Sequence, residues 1–562
     1  MKTGLIGLAL LVWSTGWAAP LATADPTPPN IILMLADDLG YSDLGCFGGE
    51  IDTPNLDSLA QGGLRMTQLY NTARCCSTRA SLLTGLYPHR AGVGAMTADL
   101  GLPGYRGFLN DQSVTIATRL LDAGYRTYLS GKWHLRGAGN PECTPLNRGF
   151  DEFFGHYKAY ASFWREDIFY RLPEGRKRVA ADVEDFYATN AITDHAINFI
   201  GEARRADEPY FLYLSYNAPH FPLHAPKEVV DKYADTYAAG WDAIRERRYA
   251  RMRELGILRE SFELSPRGHV TKVPNRNLDS PYYDQQIPAW NDLPADRRAD
   301  LARRMAIYAA MVEIMDRNIG RVVADLKTNG EFDETLIVFL SDNGACAEWD
   351  PFGFDNEPYP KNRLHIGGEE LAEMGSKGTF HSYGTGWANA CNTPFRLYKH
   401  YNHEGGISTP TIIHWPAKIP RTGEIDRQPA HLVDLTATLA EVGGASYPSE
   451  RNGQAIHAPA GVSLSPIFAG EKMAERPLFF EHEGNRAIRL GKWKLVWTNF
   501  QRRWELYDIN KDRSEMNDLV ADHPDKVAEL EKLWLTWAGE NAVALEKVEA
   551  PATGMPKLYY VP

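Results

Sequence analysis

The run Asn30-Ile31-Ile32-Leu33-Met34-Leu35-Ala36, closed by Asp37-Asp38, constrains the fold more than any other segment. A strand with one wet face alternates apolar and polar residues, so an unbroken apolar run reads as buried on both faces, as in a helix-covered parallel sheet. Arg126–Ser130, Tyr210–Tyr216 and Thr335–Leu340 read as further strands. Helical stretches fall between them. Pro54–Ala60 stops at Gly62-Gly63, and Ser113–Ala123 is capped by Ser113 and ended by Gly124. Leu301–Lys327 carries Met311, Met315, Ile319, Val322 and Leu326 as its apolar stripe. The alternation predicts an α/β fold with a large mixed, mostly parallel sheet sandwiched by helices. From Pro477 short strands follow one another and a helix covers Pro524–Trp537, which predicts a small antiparallel sheet plus helix. Residues 239–300, rich in charge, Arg and Pro, read as a surface excursion, and the aromatics of Phe150–Trp164 as core or pocket lining.

The strands share a second property. They run into Asp37-Asp38, Lys132 and His134, Asn217-Ala218-Pro219-His220, and Asp342-Asn343. Open α/β sheets bind ligands at the carboxyl ends of their strands. Asp37, Asp38, Asp342 and Asn343 offer only oxygen, which suits a hard cation, but they converge only if their two strands are neighbours. The segment Cys75-Cys76-Ser77-Thr78-Arg79-Ala80-Ser81-Leu82-Leu83-Thr84-Gly85 places a thiol and a guanidinium one turn apart at a helix start. Unpaired N–H groups there favour an anion, so this reads as an anion site with a nucleophile precursor.

A formal net charge of -12 argues against nucleic acid as a partner and requires any anion site to be locally positive. Lys2, the apolar Leu5–Trp13 and the small Ala22-Thr23-Ala24 predict an export signal over residues 1–24, too short to span a bilayer. No later stretch is long enough to form a membrane span. The 6 cysteines, Cys46, Cys75, Cys76, Cys143, Cys346 and Cys391, are too few for a disulfide scaffold, and their pairing is not legible.

The Cys75 segment resembles the signature of the type I sulfatases, Cys-x-Pro-x-Arg and then Thr-Gly, with Ser77 at the proline position. Gly131-Lys132-Trp133-His134 resembles a second family block, and His220 matches the histidine that faces the ester oxygen. Arg396-Leu397-Tyr398-Lys399 with Glu404-Gly405-Gly406 resembles the last block, which continues here as Ile407-Ser408-Thr409-Pro410 in place of Ile-Arg-Val-Pro. The resemblance spans roughly Asn30 to Trp537 and is nearest to bacterial arylsulfatases.

That resemblance implies an alkaline-phosphatase-like fold, with residues 25–470 catalytic and 471–562 a smaller C-terminal α+β unit and tail. It implies a sulfuric ester hydrolase. Its metal ligands would be Asp37, Asp38, Cys75, Asp342 and Asn343, and its catalytic residues Cys75, Arg79, Lys132, His134, His220 and Lys399. Calcium is expected rather than magnesium. A maturation enzyme would oxidise Cys75 to formylglycine (3-oxoalanine), whose hydrate attacks sulfur. The expected substrate is a sulfated small molecule or carbohydrate, and the expected location is periplasmic or secreted. Two other readings stay open: a phosphonate or phosphate ester hydrolase of the same fold, or a non-catalytic binder of sulfated glycans if Cys75 remains a thiol.

Overall fold

The computed structural model describes residues 1, 28–137, 139–173, 186–269, 285–348, 351–355, 366–499 and 501–545, so the expected export signal lies outside the described residues. The main sheet contains β1 (Asn30–Ala36), β2 (Leu64–Tyr70), β3 (Arg126–Lys132), β4 (Glu152–His156), β5 (Tyr170–Leu172), β6 (Tyr210–Ser215), β7 (Thr335–Ser341), β8 (Ser408–His414), β9 (Glu424–Asp426) and β10 (Ala430–His431). Their order is β10-β2-β8-β7-β1-β6-β3-β4-β5, with β9 beside β2. β1 runs parallel to β6 and β7, and β3 to β4 and β6. β8 runs antiparallel to β2 and β7, and β5 to β4. The sheet is mixed and mostly parallel.

Helices cover both faces: α1 (Pro54–Gly62), α2 (Cys75–Thr84), α3 (Ile116–Asp122), α4 (Ala188–Ala206), α5 (Lys227–Lys232), α6 (Gly240–Glu254) and α7 (Ala295–Thr328), then Leu432–Val442 on the α2 side. Alternate residues of β1 feed two cores. Ile32 and Met34 pack with α1, α4 and α7, whereas Ile31, Leu33 and Leu35 pack with α2, α3 and Leu432–Val442. Each such side chain is worth about 1.5–3 kcal/mol when fully buried. Burial on both faces therefore dictates the unbroken apolar run.

Several expectations change. The cap of α3 is Thr115, whose Oγ1 accepts from the Thr118 N–H at 3.1 Å; Ser113 Oγ instead donates to the Asn110 carbonyl at 2.7 Å. α7 starts at Ala295, and its polar first turns are held inside by an Asp300–Arg304 pair at 2.8 Å. The stretch 239–300 is no surface excursion over its described part. α6 buries Trp241, Ile244 and Met252, and its fully buried Arg248 pairs with Asp43 at 2.6 Å and Glu50 at 2.7 Å. Phe150, Phe153, Phe154 and Phe163 are core.

The C-terminal strands Leu478–His482, Asn485–Leu490, Trp493–Trp497 and Trp504–Asp508 form an antiparallel sheet in sequence order. The helix Pro524–Glu540 buries Leu530, Trp534 and Trp537 against it. Buried charges fasten this sheet to the main one: Lys494 meets Glu404 at 2.9 Å and Glu515 at 2.8 Å, and Arg513 meets Glu404 at 2.7 Å. Arg513 also donates to Ser408 Oγ at 3.0 Å.

Candidate active site

β1 and β7 are neighbours, with Ala36 opposite Ser341, so the Asp37-Asp38 and Asp342-Asn343 turns leave the sheet side by side. The condition set by the oxygen-ligand reading is met. The Asp38 N–H donates to Asp342 Oδ1 at 3.2 Å, and Asn343 Nδ2 donates to Asp38 Oδ1 at 2.6 Å. Asp38 sits at φ 67 and His134 at φ 53, a left-handed conformation that non-glycine residues seldom adopt outside constrained sites.

Helix α2 begins at Cys75 and ends at Thr84, capped by Gly85 at φ 72, and every residue of the helix is buried. Ser77 Oγ donates to the Val93 and Ala95 carbonyls at 3.0 and 3.1 Å, anchoring the first turn without a proline. Cys75 Sγ lies 3.3 Å from His134 Nδ1. Arg79 donates to Asp342 Oδ2 at 2.8 Å and to the Lys132 carbonyl at 3.0 Å, and approaches Asp37 at 3.8 Å. Lys132 Nζ meets Asp37 at 2.6 Å, and Lys399 Nζ meets Asp38 at 2.9 Å. His220 Nδ1 donates to the Phe221 carbonyl at 2.6 Å, which turns Nε2 toward Lys399 Nζ at 3.4 Å and Asp38 at 3.2 Å. All the catalytic and metal candidates named from the sequence thus gather at one place.

The electrostatics follow from depth. Burial pushes the carboxyls of Asp37 and Asp342 up, Asp37 well above its ordinary value. Burial also acts to raise Asp38, but His220 and Lys399 beside it hold it below the ordinary value. A hydrogen bond from Cys76 and the charge of Lys132 hold the Cys75 thiol well below its usual range, against burial. Burial lowers His134 to about 4 and His220 to about 3, so both rings are neutral. For Lys399 burial opposes the charge, yet Asp38 and Glu348 keep it well above the ordinary lysine value.

The donor set fits a hard cation. Asp37 Oδ1 and Asn343 Oδ1 are buried oxygens with no hydrogen-bond partner among the described residues, an arrangement that is costly unless a cation meets them. Asp37, Asp38 and Asp342 balance Arg79, Lys132 and Lys399 in formal charge. A divalent ion there leaves the pocket net positive, which suits an anionic ester on a chain of negative net charge. Asp37, Asp38 and His220 also present ligand atoms within 4.8 Å of one another. Asn343 completes the oxygen set better than His220 does, because His220 Nε2 faces the Lys399 ammonium.

Sequence reasoning missed several neighbours. Glu348 meets Arg74 at 3.1 Å, His400 at 3.1 Å and Lys399 at 3.7 Å. His156, opposite Lys132 at the end of β4, is fully buried with neither ring nitrogen hydrogen-bonded among the described residues, and the side chain of Asn217 is in the same condition. The position of His156 and Asn217 at strand ends was the available signal. Glu348 had none, because it stands in a loop.

The family described as Sulfatase matches residues 29–445, and the one described as N-sulphoglucosamine sulphohydrolase, C-terminal, matches residues 395–535. The arylsulfatase of Klebsiella aerogenes is 34% identical over 461 residues, 80% of this chain and 94% of that protein. An uncharacterised sulfatase of Schizosaccharomyces pombe is 33% identical over 555 residues, 92% of this chain and 95% of that protein. Among solved structures, Ps i-CgsB superposes with a TM-score of 0.63 at 26% identity, covering 92% of this chain and 94% of that one. On the match over residues 29–445 and these relatives, the chain belongs to the sulfatase family, enzymes that hydrolyse sulfate esters.

Proposed function

We propose that this sulfatase cleaves sulfate monoesters of an aryl or carbohydrate alcohol at position 75. The observation that carries the reading is the 3.3 Å approach of Cys75 Sγ to His134 Nδ1 within the ring formed by Arg79, Lys132 and Lys399. Oxidised to formylglycine by a maturation enzyme, residue 75 supplies a hydratable aldehyde, and Sγ stands in for its oxygen. Asp37, Asp38, Asp342 and Asn343, with residue 75, would hold the divalent ion. Calcium is favoured over magnesium, because several carboxylates suit the larger, more loosely coordinated cation. When bound, that ion supplies Lewis acidity beside position 75.

The chain's own residues then divide the work. Arg79, Lys132 and Lys399 neutralise the sulfate oxygens as charge builds on them. His134 Nδ1 takes a proton from the side chain at position 75. His220 Nε2 carries no proton when Nδ1–H is engaged by the Phe221 carbonyl, so the Lys399 ammonium, 3.4 Å away, supplies the proton for the departing alcohol.

Comparing turnover of an aryl sulfate with that of the matching aryl phosphonate tests the reading. Faster sulfate cleavage is expected, and preference for the phosphonate would overturn it. Residues 25–470 form the catalytic unit and 471–562 the smaller one. The chain is exported to the periplasm or medium, and Asp25 as the first residue of the secreted protein would be the supporting result. Among the described residues no helix is long and apolar enough to cross a membrane.

A further inference from the structure

We infer that His400, His482 and Glu483 form a second cation site, separate from the oxygen-only set, that takes a zinc-class divalent transition metal. In the C-terminal sheet His482 pairs with Asn485, which leaves Glu483-Gly484 as a two-residue hairpin turn with φ 52 and 78. Such turns favour Asn-Gly or Asp-Gly, so a glutamate at the first position runs against local preference. The hairpin is clamped to the segment after Lys399: Asn485 Nδ2 donates to the His400 carbonyl at 2.9 Å, and Asn402 Nδ2 donates to the Asn485 carbonyl at 2.8 Å.

The ligand atoms of His400, His482 and Glu483 lie within 4.8 Å of one another. His482 is fully buried, yet among the described residues neither of its ring nitrogens is hydrogen-bonded, and Glu483 Oε1, 3.5 Å from His482 Nε2, has no hydrogen-bond partner there either. Buried polar atoms in native proteins are almost always satisfied, and a cation satisfies one ring nitrogen of His482 together with Glu483 Oε1. His400 Nδ1 donates to Glu483 Oε2 at 2.7 Å, and its Nε2 faces Glu348 Oε1 at 3.1 Å. Exchange of the Nδ1 proton, released to solvent, for a metal ion leaves Nε2–H on Glu348, the carboxylate–histidine–metal relation found in zinc sites. Two imidazoles and one carboxylate suit zinc. Arg74 Nη1, 3.1 Å from Glu348, also lies 2.8 Å from His400 Nδ1 and closer still to its Nε2, so metal entry at Nδ1 must displace the guanidinium from the ring and leave it on Glu348. Because Glu348 also stands 3.7 Å from Lys399, occupancy would bear on the active site.

The full-length chain, dialysed against micromolar zinc with excess calcium present throughout, is assayed for bound metal. One zinc per chain is expected, lost in His482→Gln and Glu483→Gln and bound ~10–100-fold more weakly in Glu348→Gln. Zinc content unchanged in both ligand variants, or no zinc in the wild type, overturns the site. Should both variants fail to fold, cobalt titration of the wild type decides. Visible absorption bands that zinc abolishes support the site, and their absence overturns it.

Discussion

Arg79 is fully buried and divides its guanidinium among Asp342, Asp37 and the Lys132 carbonyl. A lysine there keeps the charge but loses the planar fork. Arg79→Lys is therefore expected to lower kcat on an aryl sulfate by about 10²–10³-fold, the usual effect of losing one donor to a developing anion; an effect under threefold would remove Arg79 from the sulfate site. Cys75→Ala should abolish turnover while leaving the circular dichroism spectrum unchanged, and appreciable residual activity would unseat position 75. At this scale the sequence was most readable where chemistry and place coincide. Cys75, Arg79 and the strand-end Asp, Lys and His residues carry reactive groups at a helix start and at the carboxyl ends of strands, where open α/β sheets bind ligands. Glu348 was hidden because its contacts with Arg74, His400 and Lys399 arise from loop packing.

Among elements, α3 separates reading from outcome most clearly. The sequence reading puts the cap at Ser113, and the backbone path instead turns Thr115 Oγ1 to the Thr118 N–H. Thr115→Ala should cost about 1 kcal/mol in denaturant unfolding, while Ser113→Ala changes far less; equal effects would contradict this assignment. β1 and β7 were legible because burial on both faces enforces an apolar run. β2 and β8 were not, because their threonines look like loop. Thr409 Oγ1 donates to the Ser341 carbonyl at 2.9 Å and Thr67 Oγ1 to the Asp426 carbonyl at 3.2 Å, so polar residues sit inside the sheet with their hydrogen bonds made. α6 misled for the same reason: Arg248 is charged in sequence but paired in the interior.

Over the whole molecule, two stabilities are separable. A chelator should stop turnover and lower the melting temperature, because a cation at the proposed Asp37-Asp38 and Asp342-Asn343 site would link β1 to β7; no change in either would refute the oxygen-ligand site. Glu404 fastens the C-terminal sheet. Burial acts to raise its carboxyl, but Lys494, Arg513 and Arg489 hold it well below the ordinary value. A lowered folded value means that this stabilisation is complete above the unfolded glutamate value of about 4.3 and is lost as pH falls through the folded value beneath it. Glu404→Gln should therefore destabilise by about 3–5 kcal/mol at neutral pH, with the gap to wild type closing in acid; a gap that does not vary with pH would exclude this account. The sequence by itself determined the layer architecture and the identity of the reactive groups, because both follow from local patterns: apolar period, strand-end polarity and the spacing of a thiol and a guanidinium on one helix. Only the tertiary structure decided which strands are neighbours, which charges are buried and paired, and how the Glu483 hairpin meets the Lys399 segment. Those outcomes depend on contacts between residues hundreds of positions apart, and no local pattern encodes them.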